Sequence, residues 1–303
     1  MNCIFCHKSS DSSKSIEHIV PESLGNKGTF LWRGAVCDKC NNYFAVKIER
    51  GLLEQPYFVS VRHRNFIYTK KNHNVKDQLL FNGPNGGWVN TQFNLGDENL
   101  IISFDENDEL YKSLQNGKIK NIIIPIFPEP EPDNYLLSRF LTKCALEYFV
   151  LRVKQENFVE FSDYLRTFPE INMLRKYARY GEGDKFWPYH QRRIYGEGDL
   201  FTDRNRLPHQ VLCEMDLLII QHETKVVDGE EYVVAEYYYV LVIMGIEYVI
   251  NIAGPEIEGY EAWLEKHSNQ SPIEINDTRQ RMPVNYSNWP IISEELAKKI
   301  KKN

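Results

Sequence analysis

The sequence predicts an α+β protein, in which a small amino-terminal unit built around cysteines precedes a larger mixed α+β region. Two observations predict this division. Two Cys-x-x-Cys pairs lie within residues 1–40, and the 303 residues of the chain exceed the usual length of about 100 to 200 residues for one domain. With 42% hydrophobic residues, the chain can bury a sizeable core. We place the small unit at residues 1–54 and the larger region at residues 55–303.

The two cysteine pairs have the spacing of a metal site. Each pair forms a tight turn that presents two sulfur atoms to one ion, and four thiolates arranged in this way favour tetrahedral zinc. Zinc held by four sulfurs keeps no open position for water, so this ion stabilises the fold and does no chemistry. The predicted zinc ligands are Cys3, Cys6, Cys37 and Cys40.

Three further polar residues accompany the cysteines. Glu17 and His18 lie between the pairs, and Asn41 follows the last cysteine directly. Carboxylate and amide oxygens suit Mg or Mn, and histidine is the side chain most easily used as a base near neutral pH. Structural interpretations also exist, with His18 packed in a strand and Asn41 as a helix N-cap. Because neighbours on a regular strand point to opposite faces, Glu17 and His18 can share a phosphate only where the strand ends or twists.

The segments CIFC, EHIVPESLG and CDKCNN together resemble the HNH endonuclease family over residues 1–50. The resemblance is closest to the zinc-bearing members in which asparagine replaces the helical histidine, as in endonuclease VII-like enzymes. It implies a treble-clef-like ββα-metal module with His18 as the general base and with Glu17 and Asn41 as ligands of a catalytic Mg or Mn. Two positions differ from many members. Glu17 stands where Asp is common, and the middle asparagine is missing from the stretch 30–34.

The resemblance also implies a function. HNH nucleases hydrolyse phosphodiester bonds, most often in DNA, and serve in restriction, homing, junction resolution and phage defence. A small nuclease joined to a larger region is typical of an effector that the larger region controls. A non-catalytic zinc-ribbon subunit that binds nucleic acid or acts as a sensor stays open as the alternative. A regulatory protein partner or a homo-oligomer also stays open.

The charge of the chain is divided unevenly. The formal net charge is −6, but residues 1–80 carry 12 Lys and Arg against 7 Asp and Glu, whereas the rest carries 24 against 35. Basic residues just after the small unit could follow a phosphate backbone along a predicted strand, unless they form a solvated strand face. These residues are Arg62, Arg64, Lys70 and Lys71.

A second basic patch contains Arg192 and Arg193 in the segment 175–206, where arginines alternate with aromatic residues. This combination can grip phosphates and stack on unpaired bases. The competing interpretation makes the aromatic side chains core and pairs the arginines with nearby acidic residues.

Hydrophobic periodicity and turn residues predict the elements of the larger region. Strands are expected at 56–70, 77–94 with a turn at 83–87, 121–127, 211–222, 232–242 and 247–252. Helices are expected at 135–155, 158–167, 171–179 and 260–267. The acidic proline run 128–133 favours neither a helix nor a central strand, and it is a candidate boundary within the larger region.

The chain is predicted to be cytoplasmic and to have no membrane partner. Its start has no basic and apolar leader, and the longest apolar stretch, 232–253, is interrupted by Glu236 and Glu247. Cys144 and Cys213 remain after zinc binding, and we expect them to be buried thiols in a reducing compartment.

Overall fold

The computed structural model describes residues 1–68, 75–95, 100–155, 169–183, 186–202, 208–227, 230–275 and 277–283. It confirms the α+β class, with helices and antiparallel sheets. Contacts divide the described residues into two compact units, one of residues 1–53 with 130–283 and one of residues 54–129. The division into 1–54 and 55–303 stays a prediction.

The amino-terminal segment of the first unit contains little regular secondary structure before its helices. Two single β-bridges join Asn2 to Ser9 and His18 to Phe30. A 3₁₀ turn, Glu22–Leu24, ends at Gly25, where φ is +93° and an added Cβ would lie 2.3 Å from Leu212 Cβ. Only glycine suits both the backbone and the space there. Helix α1, Asp38–Phe44, continues through a wider turn, Ala45–Glu49, into α2, Arg50–Leu53.

The second unit begins with a helix where the sequence predicts a strand. Helix α3 spans Pro56–Arg64, so the predicted strand 56–70 is wrong. Pro56 stands at the start of the helix, where its fixed φ is already helical and its missing N–H is not needed. Tyr57 and Val61 are buried four residues apart on one side of α3.

A four-stranded antiparallel sheet completes the second unit, in the order β3-β2-β1-β4. Its first two strands confirm the prediction for 77–94 with a turn at 83–87. The predicted strand 121–127 is shorter, and helix α4 was not predicted. The elements are β1 Asp77–Asn82, β2 Gly87–Leu95, β3 Leu100–Phe104, α4 Asp108–Gln115 and β4 Asn121–Ile123.

The remainder of the first unit combines helices with two sheets, ordered β5-β10-β9-β8 and β11-β6-β7. The predictions near 135–155, 171–179, 211–222, 232–242, 247–252 and 260–267 are confirmed, and the predicted helix 158–167 lies outside the described residues. The helices are α5 Tyr135–Gln155, α6 Pro169–Tyr180, α7 Glu258–Lys266 and α8 Pro272–Ile275. The strands are β5 His190–Arg193, β6 Leu200–Thr202, β7 His209–Gln210, β8 Cys213–Val227, β9 Glu230–Ile243, β10 Ile246–Asn251 and β11 Gln280–Met282.

Helix α5 forms the centre of the first unit. It is buried on nearly every side from Leu137 to Val150, which is typical of a core helix. It packs against α2, where an added Cβ on Gly51 would lie 3.0 Å from Leu136 Cδ1. In the part of the chain that the structure describes, no helix has the length and apolar character needed to cross a bilayer.

Candidate active site

The four predicted zinc ligands lie together. Their Sγ atoms are all within 4.8 Å of one another, and none of the four forms a disulfide. The Sγ atoms of Cys6 and Cys37 are 3.6 Å apart, close to the edge of about 3.8 Å expected for a tetrahedron with Zn–S bonds of about 2.3 Å. The cluster fits one zinc ion with four sulfur ligands, and an ion held in this way would be structural.

Each cysteine pair is built into a hydrogen-bonded turn. In the first, the amide of Cys3 donates to Lys8 O at 2.9 Å and the amide of His7 donates to Cys3 O at 2.9 Å. In the second, Cys37 stands just before α1, and its carbonyl accepts from the amides of Cys40 and Asn41, both at 2.9 Å. The second pair therefore belongs to the start of the helix that carries Asn41.

Two arginines of α6 support these turns. Arg179 Nε donates to Cys40 Sγ at 3.3 Å, and its guanidinium lies 3.8 Å from the ring centre of Tyr43. Arg175 Nη1 donates to the backbone oxygen of Phe5. An N–H that donates to a ligand sulfur orients the ligand and stabilises its thiolate form. These two members of the segment 175–206 therefore contact the cysteine turns in the structure.

Glu17 and His18 point in different directions from the single bridge that His18 makes with Phe30. Glu17 is 5% exposed. The side chain of His18 is 23% exposed, and its Nε2 lies 3.5 Å from Glu22 Oε1. Its Nδ1 is enclosed and has no hydrogen-bond partner among the described residues. The ring of Phe30 lies beside His18 with its centre 6.0 Å away, and this side chain is 48% exposed.

An asparagine that the sequence analysis did not single out fixes the loop after His18. Asn26 is 4% exposed, and its Nδ2 donates to Val20 O and Thr29 O, both at 2.7 Å. Its Oδ1 accepts from the amides of Gly28 and Thr29 at 3.2 and 2.9 Å. Although the stretch 30–34 lacks an asparagine, an amide side chain nearer to His18 thus ties the loop together. The Asn-Lys-Gly turn sequence was the available signal.

Glu17 meets a buried lysine from α5. Lys143 is fully buried, and its Nζ lies 2.6 Å from Glu17 Oε1, 3.0 Å from Glu49 Oε1 and 3.1 Å from Glu147 Oε2. Burial lowers the pKa of Lys143, but the nearby carboxylates outweigh it and hold the pKa well above its usual value. Burial also raises the pKa of Glu147. The signal for this cluster was a Lys and a Glu four residues apart in the middle of a mostly apolar helix.

Asn41 lies inside α1 rather than before it. Cys37 occupies the N-cap position, so the structural interpretation of Asn41 as the N-cap is wrong. Asn41 is half-buried, and Glu49 follows it along the same helical run, with its carboxylate at Lys143. The oxygen donors Glu17 and Asn41 are of the type that Mg or Mn prefers, although one oxygen of Glu17 already contacts an ammonium group.

Two of the four predicted phosphate-contacting residues, Arg62 and Arg64, lie on helix α3. Arg62 is 7% exposed, and burial lowers its pKa to about 10. Arg64 is half-buried, and its Nη1 donates to Ser60 Oγ at 2.6 Å. Lys70 and Lys71 lie outside the described residues. Contact of these four residues with nucleic acid stays a prediction, but Arg62 and Arg64 lie on a helix and not on the expected strand.

Arg192 and Arg193 both make contacts within the first unit. Arg192 Nε pairs with the fully buried Glu247 at 2.7 Å, and its Nη1 donates to Asn269 O at 2.7 Å. Arg193 Nη1 donates to the backbone oxygens of Tyr195 and Met244 at 3.2 and 3.1 Å. Tyr195 is itself buried. These contacts agree with the structural interpretation of the patch, and nucleic-acid binding by the two arginines stays a prediction.

A comparison with protein families gives one match. Residues 3–56 match the family model described as HNH endonuclease. No curated protein and no solved structure matches the chain. The matched segment contains the four-cysteine cluster, Glu17, His18 and Asn41. With its cysteine cluster, the amino-terminal segment of the chain is therefore similar to the HNH endonuclease family over residues 3–56.

Proposed function

We propose that this protein is a metal-dependent endonuclease that hydrolyses phosphodiester bonds in DNA. The observation that carries the proposal is the HNH endonuclease match at residues 3–56, a segment that contains both a half-buried histidine and a four-cysteine cluster. Such a family implies a nucleic-acid substrate. The choice of DNA rests on the resemblance of CIFC, EHIVPESLG and CDKCNN to DNA-cleaving members.

In the proposed reaction, His18 takes a proton from the attacking water. We assign the proton to Nε2, because Nδ1 is enclosed by the protein. The carboxylate of Glu22 lies 3.5 Å from this nitrogen. The loop held by Asn26 keeps the backbone after His18 in place. A general base of this kind contributes about 10²- to 10⁴-fold to the rate.

Glu17 and Asn41 are the proposed ligands of the catalytic cation. A divalent ion such as Mg or Mn, when bound there, supplies charge stabilisation for the phosphate and for the leaving oxygen. Glu17, which is buried, contributes a carboxylate oxygen. Asn41 contributes an amide oxygen from α1, the helix that begins at the second cysteine pair of the zinc cluster. The zinc cluster thus holds one proposed ligand in place without taking part in the reaction.

The resemblance further supports a role as a restriction or phage-defence effector in the cytoplasm. None of the six cysteines forms a disulfide in the structure, which suits a reducing compartment. We propose that the residues beyond the matched segment control the nuclease or hold its substrate, through a regulatory protein or a second copy of the chain.

One observation favours the alternative function, a non-catalytic zinc protein that binds nucleic acid. Glu17 is 5% exposed and pairs with Lys143, as a purely structural carboxylate would. The two functions differ in their use of a divalent ion. A binder holds DNA equally well after Mg is chelated and does not nick it with Mn.

The deciding experiment is incubation of the purified protein with supercoiled plasmid, with and without Mn. We expect nicking with Mn only, and we expect His18→Ala to reduce its rate by about a hundredfold or more. His267→Ala is the matched control, because His267 is an exposed histidine on the surface at the end of α7. Parallel reactions with single-stranded DNA and with RNA identify the substrate class. Absence of nicking on every substrate, with zinc bound, would favour the binder.

A further inference from the structure

Lys143 brings a full charge into the core of the first unit. Its side chain is 0% exposed, and five oxygen atoms lie within 3.1 Å of its Nζ. Removing an ammonium group from water costs several kcal/mol unless its hydrogen bonds are replaced. The five acceptors replace them, so the position of this lysine is specified by the surrounding residues.

Two of the five oxygens belong to the backbone at the proposed base. Lys143 Nζ donates to His18 O at 3.1 Å and to Ile19 O at 3.0 Å. The neighbouring Cys144 Sγ also donates to Ile19 O, at 2.9 Å. Helix α5 therefore holds the backbone of residues 18 and 19 through three hydrogen bonds.

The carboxylate contacts connect Lys143 to two segments that adjoin the proposed catalytic residues in sequence. Glu17 Oε1 lies 2.6 Å from Lys143 Nζ and belongs to the residue just before His18. Glu49 Oε1 lies 3.0 Å from Nζ and belongs to the helical run that begins just before Asn41. The ammonium group of Lys143 thus contacts the backbone of His18, the carboxylate of Glu17 and the helical run that follows Asn41.

We propose that Lys143 is a positioning residue of the nuclease site, which fixes the backbone of His18 and the carboxylate of Glu17 relative to the helix of Asn41. Lys143 lies in α5, outside the matched segment 3–56. The HNH segment of this chain is therefore incomplete as a catalytic unit without α5. This inference rests on the proposed function, and its test includes a measurement that does not depend on cleavage.

The test uses the full chain with Lys143→Met, which keeps a long side chain and removes the charge. Loss of a residue that orients metal ligands typically costs roughly 10- to 100-fold in metal affinity or activity. We expect nicking to fall by about this factor at saturating DNA, because kcat drops while KM stays near the wild-type value. Mn²⁺ binding, measured by the electron paramagnetic resonance signal of free Mn²⁺, should weaken by about tenfold.

A matched control comes from the same cluster. Glu147 contacts Lys143 Nζ at 3.1 Å on the same helix, and it is assigned no contact with a proposed catalytic group. Glu147→Gln keeps its shape and should leave nicking and Mn²⁺ binding within about twofold of wild type. Lys143→Arg keeps the charge but not the shape, and we expect it to recover part of the lost rate.

Hydrogen exchange followed by mass spectrometry separates this inference from the proposed function. In Lys143→Met, amides of residues 16–22 should exchange at least tenfold faster, while exchange in α1 and the zinc content stay close to wild type. This measurement applies even if the wild-type protein cleaves nothing. If Lys143→Met does not fold, Lys143→Arg decides, since a tenfold lower kcat at unchanged DNA affinity supports the proposal and a wild-type kcat overturns it.

Two other results would also overturn the proposal. Unchanged exchange at residues 16–22 in a folded Lys143→Met would mean that the lysine does not hold this segment. Faster nicking with tighter Mn²⁺ binding would mean that the ammonium group competes with the metal for Glu17 rather than positioning it.

Discussion

Glu17 and His18 are neighbours in sequence, and the structure places their side chains in different surroundings. Glu17 contacts a buried lysine, whereas His18 stays partly exposed next to Glu22. The alternation of side chains along extended backbone predicts such a separation. The local motif was enough to identify both residues as candidates. It could not identify Lys143, because this residue lies 125 positions from His18 and only the fold brings the two together. Asn26 was missed because its role depends on backbone partners rather than on a side-chain motif.

Removing the side chain of Asn26 should loosen the loop after His18. Asn26→Ala leaves the buried carbonyl of Val20 and the partly buried carbonyl of Thr29 without this donor, which should lower the free energy of unfolding by about 1–3 kcal/mol. Urea denaturation measures the loss. Asn42→Ala is the control, because Asn42 is exposed and its loss should change stability by less than about 0.5 kcal/mol. Equal effects of the two substitutions would contradict the assigned role of Asn26.

Asn41→Ala tests the proposed cation ligand on α1. We expect a lower nicking rate and a higher concentration of Mg or Mn for half-maximal activity, because one oxygen ligand is lost. A metal titration at fixed DNA concentration measures both changes. A variant that loses rate at an unchanged metal requirement would show that Asn41 acts in another way.

Helices and strands with a clear hydrophobic periodicity in their own sequence were the most predictable. Helices α5 and α6 and strands β8 to β10 lie near their expected positions, because each carries a long hydrophobic pattern. Helix α3 was mistaken for a strand because its β-branched and aromatic residues favour strands, whereas Pro56 and tertiary packing decide for a helix. The pairing of Arg192 with Glu247 likewise depends on the register of β5 with β10.

At the level of elements, the zinc cluster should determine whether the amino-terminal segment folds. Structural zinc contributes on the order of 10 kcal/mol to small metal-folded units, so Cys37→Ser should lose zinc, unfold the cysteine turns and abolish nicking. Metal analysis and thermal denaturation measure the change. Cys213→Ser, outside the cluster, should keep its zinc. Active protein without zinc would refute this prediction.

A second prediction at this level concerns the ion pair between β5 and β10. Arg192→Ala leaves the fully buried Glu247 without its ion-pair partner, and breaking such a pair costs about 3–5 kcal/mol of unfolding free energy. Chemical denaturation measures this loss. Lys266→Ala on the exposed face of α7 is the control and should have little effect. A stable Arg192→Ala that binds DNA more weakly would instead support the patch predicted from the sequence.

For the whole molecule, the cysteine motif and the hydrophobic periodicity predicted the α+β class, but they could not predict how the segments combine. The first unit contains residues 1–53 and 130–283, so residues 54–129 interrupt it in sequence. Such an arrangement leaves no signature in local periodicity, because it depends on contacts between distant segments. The excess of basic residues in 1–80 is likewise a property of the sequence that spans both units.

The salt dependence of DNA binding tests whether these basic residues contact phosphates. Each lost contact should flatten the slope of log affinity against log salt by about 0.9 on duplex DNA. We expect Arg64→Ala combined with Lys70→Ala to show this change, equally for all DNA sequences. Lys112→Ala, an exposed lysine of α4 paired with Glu109, is the control. An unchanged slope would exclude both residues from phosphate contact.

The interruption of the first unit has a consequence for protein synthesis. The ribosome makes His18 well before Lys143, and at about 5–20 residues per second the 125 positions between them take roughly 6 to 25 s. During that interval Glu17 and Glu49 have no lysine partner and remain hydrated, while the four cysteines have already left the exit tunnel and can bind zinc. The nascent segment can thus acquire its metal early, but its proposed catalytic groups come into register only when α5 arrives. On this order of events, chains truncated before α5 would carry zinc without cutting nucleic acid.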